Sequence, residues 1–134
     1  MSTDDQISIL YVDDEEINLF LFKASFQKKY HVITAGSGME GLELLDQYKD
    51  RVIVVISDMN MPQMNGIQFI EAARQEHENL AYFILTGYDY SQEIDQALKS
   101  NIVHKFFTKP FVSKEIEAAV EDAFVKYQKG RGEQ

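Results

Sequence analysis

Cysteine is absent from the 134 residues, which excludes disulfide bonds, a cysteine-based zinc site and a thiol nucleophile together. Basic residues are few against acidic ones: Lys and Arg number 13, Asp and Glu 22, for a net charge of −9. Contact with nucleic acid phosphates needs a basic face, so direct nucleic acid binding by this chain is not expected. No apolar run approaches the roughly 20 residues that span a bilayer. Met1 to Gln6 is polar and acidic, unlike the opening of a signal peptide. A cytoplasmic protein without membrane association is therefore expected. There is no internal linker, low-complexity segment or sequence repeat. With 45% apolar and 26% charged residues, the chain has the balance of an ordinary globular domain and enough length for one core.

What is present is organised around Arg51 to Gly66 (R-V-I-V-V-I-S-D-M-N-M-P-Q-M-N-G). The β-branched run Val52 to Ile56 does not alternate with polar residues, so it reads as a strand buried on both faces. It ends in Ser57 and Asp58. Four more strands are predicted at Ile7–Val12, His31–Ala35, Ala81–Leu85 and His104–Thr108. Between them lie helical patterns. The first follows the acids Asp13 to Glu16, runs to about Lys29, and shows a stripe of Ile17, Phe20, Leu21 and Ala24 at i, i+3, i+4 and i+7. The second has a capping box of Ser37 and Glu40 and a stripe of Met39, Leu42 and Leu45, with Gly41 inside it. Asn65 caps the third, with Ile67, Ile70 and Ala73 inward. Asp89 and Gln92 open the fourth, with Ile94, Ala97 and Leu98 inward. Ser113 caps the fifth, with Ile116, Val120, Phe124 and Tyr127 on one side, and Gly130 to Gln134 is a polar tail.

Five βα units of this kind imply an α/β fold: a doubly wound parallel sheet with right-handed crossovers and helices on both faces, flavodoxin-like with strand order 2-1-3-4-5. Ligands of such sheets bind outside the carboxyl ends of the strands. There the sequence places Asp13 and Asp14 after strand one, Asp58 after strand three, Thr86 after strand four and Lys109 after strand five. Three carboxylates without His or Cys make a hard oxygen site suited to Mg²⁺. A Lys ammonium and a hydroxyl fit the oxygens of a phosphoryl group, and a carboxylate can accept that group as an aspartyl phosphate.

These residues carry a resemblance over essentially the whole chain. V-D-D-E (Val12 to Glu15), D-M-N-M-P-Q-M-N-G (Asp58 to Gly66), T-G (Thr86, Gly87) and K-P-F (Lys109 to Phe111) resemble the motifs of the receiver domain of two-component response regulators. The resemblance implies a receiver over residues 1–129 and Asp58 as phosphoacceptor. It implies Mg²⁺ held by Asp14, Asp58 and the Asn60 backbone carbonyl, with Asp13 acting through a metal-bound water. Lys109 would contact the phosphoryl group, and Thr86 and the aromatic Phe106 would switch conformation. It further implies a cis bond before Pro110, a histidine kinase or histidine phosphotransfer protein as donor, and an effector domain or output protein as recipient. The N-I-V-H-K-F-F preceding Lys109 departs from the G-A-x-D-Y of many DNA-binding relatives, which weakens the case for their mode of homodimerisation.

Two other functions would also use an aspartate at a strand end or a receiver-like shape. A phosphatase of the haloacid dehalogenase kind needs a general acid two residues after its nucleophile, and Asn60 there has no proton to give. A receiver-shaped adaptor has no need of all five strand-end residues. The chain is thus expected to catalyse only its own phosphotransfer and dephosphorylation. The same resemblance implies that Asn60 and Tyr88 flank the path of the hydrolytic water, and that Leu19, off the first helix's stripe and so at least partly exposed, faces a kinase.

Overall fold

The computed structural model describes residues 7–87 and 91–132. Five strands, β1 (Ser8–Val12), β2 (His31–Ala35), β3 (Val52–Ser57), β4 (Ala81–Thr86) and β5 (Lys105–Thr108), alternate with five helices. These are α1 (Glu16–Phe26), α2 (Gly38–Tyr48), α3 (Gly66–Glu76), α4 (Gln92–Lys99) and α5 (Ser113–Gly132). The strands form one parallel sheet of order β2-β1-β3-β4-β5, as the alternation implied. Every residue of β1 and β3 is buried, which is why their sequences show no polar alternation.

Two apolar layers cover the sheet. Leu10, Val12, Val55, Tyr82 and Ile84 pack with Leu45, Phe69, Ile70, Ile94 and Ala97 from α2, α3 and α4. Ile9, Tyr11, Val54, Ile56 and Phe83 pack with Phe22, Phe26, Ile116 and Val120 from α1 and α5. The caps follow from side chains that take up orphan backbone N–H groups. Asn65 and Gln68 form a complete capping box on α3, and Ser37 accepts the Glu40 N–H at 3.1 Å on α2.

Several sequence expectations are corrected. On α1 the stripe is reversed: Ile17, Phe20 and Leu21 are 59%, 67% and 48% exposed and Ala24 is exposed, while Phe22 and Phe26 are buried. Leu19 is partly exposed, as its place off the stripe implied, but its buried part packs on the core beside Phe22 and Phe26. The helix has apolar residues on both sides, and larger rings decide. Phe22 stacks on Tyr11 with centroids 4.2 Å apart and meets Phe111 edge-on at 5.7 Å. On α2, Leu45 is buried as expected, but Met39 is exposed and Gly38 and Gly41 are buried in its place. Gly41 belongs there because a Cβ would come within 2.8 Å of the Phe69 ring. The cap of α4 is Ser91, which accepts the Ile94 N–H at 3.2 Å; Asp89 lies outside the described residues. Ser113 is the first residue of α5, not its cap, and the helix continues to Gly132, past the boundary expected at residue 129.

At the start of β5 the His104 N–H donates to the Tyr82 carbonyl at 2.7 Å, and the Tyr82 N–H donates to His104 Nδ1 at 2.9 Å. Partial desolvation of this otherwise exposed side chain, followed by the Arg74 and Lys126 charges, lowers the His104 pKa below its ordinary 6.5. The unfolded chain therefore takes up the proton at a higher pH than the folded one, and stability is lost as pH falls through about 6.5. His104→Asn keeps an acceptor without the titration. Its melting temperature is expected to fall less steeply than the wild type's between pH 7 and 5; parallel slopes would remove His104 from the account.

Candidate functional site

The strand ends deliver the predicted set, and each member is fixed through its neighbour's backbone. The Asp13 N–H donates to the Ala35 carbonyl at 3.1 Å, the Asp58 N–H to Val12 at 2.8 Å, and the Lys109 N–H to Thr86 at 2.8 Å. Adjacent parallel strands thus end in register, and their terminal side chains meet.

Asp13 is fully buried, Asp58 nearly so, and Asp14 is exposed at the mouth. One oxygen from each of the three lies within 4.8 Å of the others. The Lys109 ammonium reaches across, 2.7 Å from Asp13 Oδ2 and 3.5 Å from Asp58 Oδ1. Three carboxylates face one ammonium here, and two of them have little water to solvate them. That excess of hard oxygen donors and negative charge fits a divalent cation such as Mg²⁺. Burial raises the Asp58 pKa above the ordinary carboxylate value; Lys109 opposes this, Asp13 adds to it, and the Met59 N–H opposes it. That N–H donates to Asp58 Oδ1 at 2.8 Å, which orients the carboxylate and leaves the other oxygen to react.

The remaining predicted residues lie around this centre. Thr86 is fully buried at the end of β4. The Asn60 side chain is exposed, two residues beyond Asp58. Phe106 is half-buried and packs on the apolar layer that includes α3 and α4. The Lys109–Pro110 bond is cis. Tyr88 lies outside the described residues.

Two residues contribute in ways the sequence did not assign: Gly66, known only as part of a motif, and Tyr11. A Cβ on Gly66 would collide with the Asp58 carbonyl oxygen, so glycine lets the start of α3 close on the Asp58 loop, where the Gly66 N–H donates to Met59 O at 2.9 Å. Tyr11 is the second: its hydroxyl donates to Asp13 Oδ2 at 2.7 Å. Burial, followed by that hydrogen bond, holds the phenol far above its ordinary pKa, so it remains a donor. Tyr11 and Asp13 are two apart, hence on one face of the strand direction, a spacing that could have revealed the pair.

A parallel α/β sheet with an acidic cluster, a hydroxyl and a lysine at its carboxyl edge defines an aspartate-based phosphoacceptor module. The chain belongs to the response regulator receiver domain family, which matches residues 9–121. It is 33% identical over 128 residues to a probable chemotaxis protein CheY of Rhizobium etli, covering 92% of this chain and 97% of that protein. It is also 28% identical to the sensor kinase CckA of Brucella abortus, covering 89% of this chain but spanning only 13% of that protein's length. A receiver domain structure from Clostridium thermocellum superposes with a TM-score of 0.82 at 26% identity, covering 91% of this chain and 97% of that one. Among the described residues no helix is long and apolar enough to cross a membrane.

Proposed function

We propose that Asp58 is the phosphoacceptor of this receiver domain, in a Mg²⁺-dependent transfer from the phosphohistidine of a sensor kinase or histidine phosphotransfer protein. The observation that carries this reading is the convergence of Asp13, Asp14, Asp58 and Lys109 at adjoining strand ends. An Asp58 oxygen attacks phosphorus; the bond from phosphorus to the donor's histidine nitrogen breaks, and the nitrogen keeps the electron pair. Lys109, already 3.5 Å from Asp58, pairs with a phosphoryl oxygen. A bound Mg²⁺, held by Asp14, Asp58 and the Asn60 carbonyl with Asp13 acting through a metal-bound water, would neutralise the remaining phosphoryl charge. Thr86 meets the new group with its hydroxyl, and Phe106 follows through the layer it packs on. Asn60 offers no general acid, so the chain serves as an acceptor and not as a turnover phosphatase. Its site of action is the cytoplasm, where kinases draw on ATP, and the output passes to an effector domain or a partner protein.

The donor docks on α1. Ile17, Phe20 and Leu21 share one exposed face of a helix that begins three residues after Asp13. Val112, also exposed, stands three residues past Lys109. Apolar side chains thus flank the site and would bury against the helices of the donor.

Beryllium fluoride, a phosphoryl mimic, tests the site without a partner. It is expected to bind the wild type in the presence of Mg²⁺, to lose binding on chelation, and to bind Asp14→Ala at least about tenfold more weakly. Mg²⁺ alone should raise the wild-type melting temperature by binding the folded state. Affinity indifferent to chelation, measured by titration calorimetry, would contradict the metal assignment.

A further inference from the structure

We infer that Tyr11 is a positioning residue that releases Lys109 for the incoming phosphoryl group by remaining behind as the hydrogen-bond donor of Asp13. This rests on the phosphoacceptor reading of the same site. Asp13 has no solvent contact, so its carboxylate depends on donors supplied by the chain. Oδ1 accepts the Glu15 N–H at 3.0 Å. Oδ2 accepts two donors at the same 2.7 Å distance: the Lys109 ammonium and the Tyr11 hydroxyl.

These two donors differ in freedom. Lys109 ends a long side chain and already lies between two carboxylates, 3.5 Å from Asp58 Oδ1. Tyr11 is fixed: it sits in β1 between β2 and β3, is buried, and stacks on Phe22 at 4.2 Å with the rings 18° apart. Phe22 in turn meets Phe111, two residues past Lys109. When a phosphoryl group forms on Asp58, Lys109 must turn towards its oxygens. Without a second donor that turn would strip Asp13 Oδ2 of hydrogen bonds in a dry pocket, and the ammonium would be held on Asp13. With the hydroxyl in place, Asp13 keeps one strong bond and its orientation.

Tyr11→Phe isolates the hydroxyl, because the ring and its stacking on Phe22 remain. The variant is expected to fold with the wild-type circular dichroism spectrum and to bind Mg²⁺ within about twofold of the wild-type Kd. Its initial rate of phosphorylation by acetyl phosphate should fall about tenfold, within what a hydrogen bond to a charged group is worth, and its beryllium fluoride affinity by a similar factor. Because Tyr11 acts through Lys109, the two effects should not add. In a Lys109→Ala background, Tyr11→Phe should cost less than about twofold in either readout. Wild-type phosphorylation by Tyr11→Phe would overturn the inference, as would a full tenfold loss repeated on top of Lys109→Ala. A wild-type protein that takes up no phosphoryl group under the same conditions would overturn the phosphoacceptor reading together with this one, whereas normal wild-type uptake with an indifferent Tyr11→Phe overturns this one alone.

Discussion

Phosphotransfer from a phosphorylated histidine protein to Phe20→Glu is expected to slow about thirtyfold or more, while acetyl phosphate labels the same variant at the wild-type rate. Phe20 is 67% exposed, the most open of the large apolar side chains on α1, and has Ile17 and Leu21 beside it. An aromatic ring at the centre of an apolar contact is the kind of residue whose loss costs an interface about 2 kcal/mol or more, and a carboxylate in its place must also be desolvated. The small-molecule reaction needs the acidic cluster and Lys109 but not the face of α1, so it serves as the internal control. Equal slowing of both reactions would mean that Phe20 supports the fold and that the donor docks elsewhere. The comparison also separates Phe20 from Leu19, whose half-buried side chain packs on the core; Leu19→Glu should damage both reactions through stability.

The sheet was legible because its strands are β-branched or aromatic runs that stop abruptly at polar residues, and those stops are the site. Val52 to Ile56 followed by Ser57 and Asp58 places the acid at a strand end by pattern alone, as does Val12 followed by Asp13. Asn65 announced the start of α3 as a cap, a local bond that needs no tertiary partner, and the structure adds Gln68 to complete the box. The face of α1 was not legible. Ile17, Phe20, Leu21 and Ala24 make one helical stripe, and Leu19, Phe22 and Phe26 make another on the opposite side. Periodicity cannot rank two apolar stripes; the choice lies with Tyr11 and Phe111, which offer rings to Phe22. A glycine such as Gly41 weakens a helix by propensity, yet here a Cβ would crowd Phe69 and Val12. Tyr11 went unread for a related reason. In a strand buried on both faces a tyrosine looks like any other apolar residue, and only the carboxylate two positions on gives its hydroxyl a purpose.

Replacement of Asp58 by asparagine should abolish phosphorylation, the largest effect expected of any change in the chain. Asparagine keeps the shape of the side chain but replaces the attacking carboxylate oxygen with a neutral amide, which is a poor nucleophile. It also removes one of the negative charges that draw a divalent cation to Asp13 and Asp14. The other acids cannot take over. Asp13 Oδ2 is engaged by Tyr11 and Lys109, and its Oδ1 by the Glu15 N–H. Asp14 is exposed and lacks the pairing with Lys109 that Asp58 has.

Mapping the phosphoryl group itself is the most direct test of Asp58 as acceptor. The wild-type protein is incubated with acetyl phosphate and Mg²⁺, and intact mass and peptide mass spectra are then recorded. The expected result is a single base-labile phosphoryl group on the peptide carrying Asp58, absent when Mg²⁺ is chelated and absent from Asp58→Asn. Labelling of Asp58→Asn at the wild-type rate, or a phosphoryl group mapped to any other residue of the wild type, would contradict it.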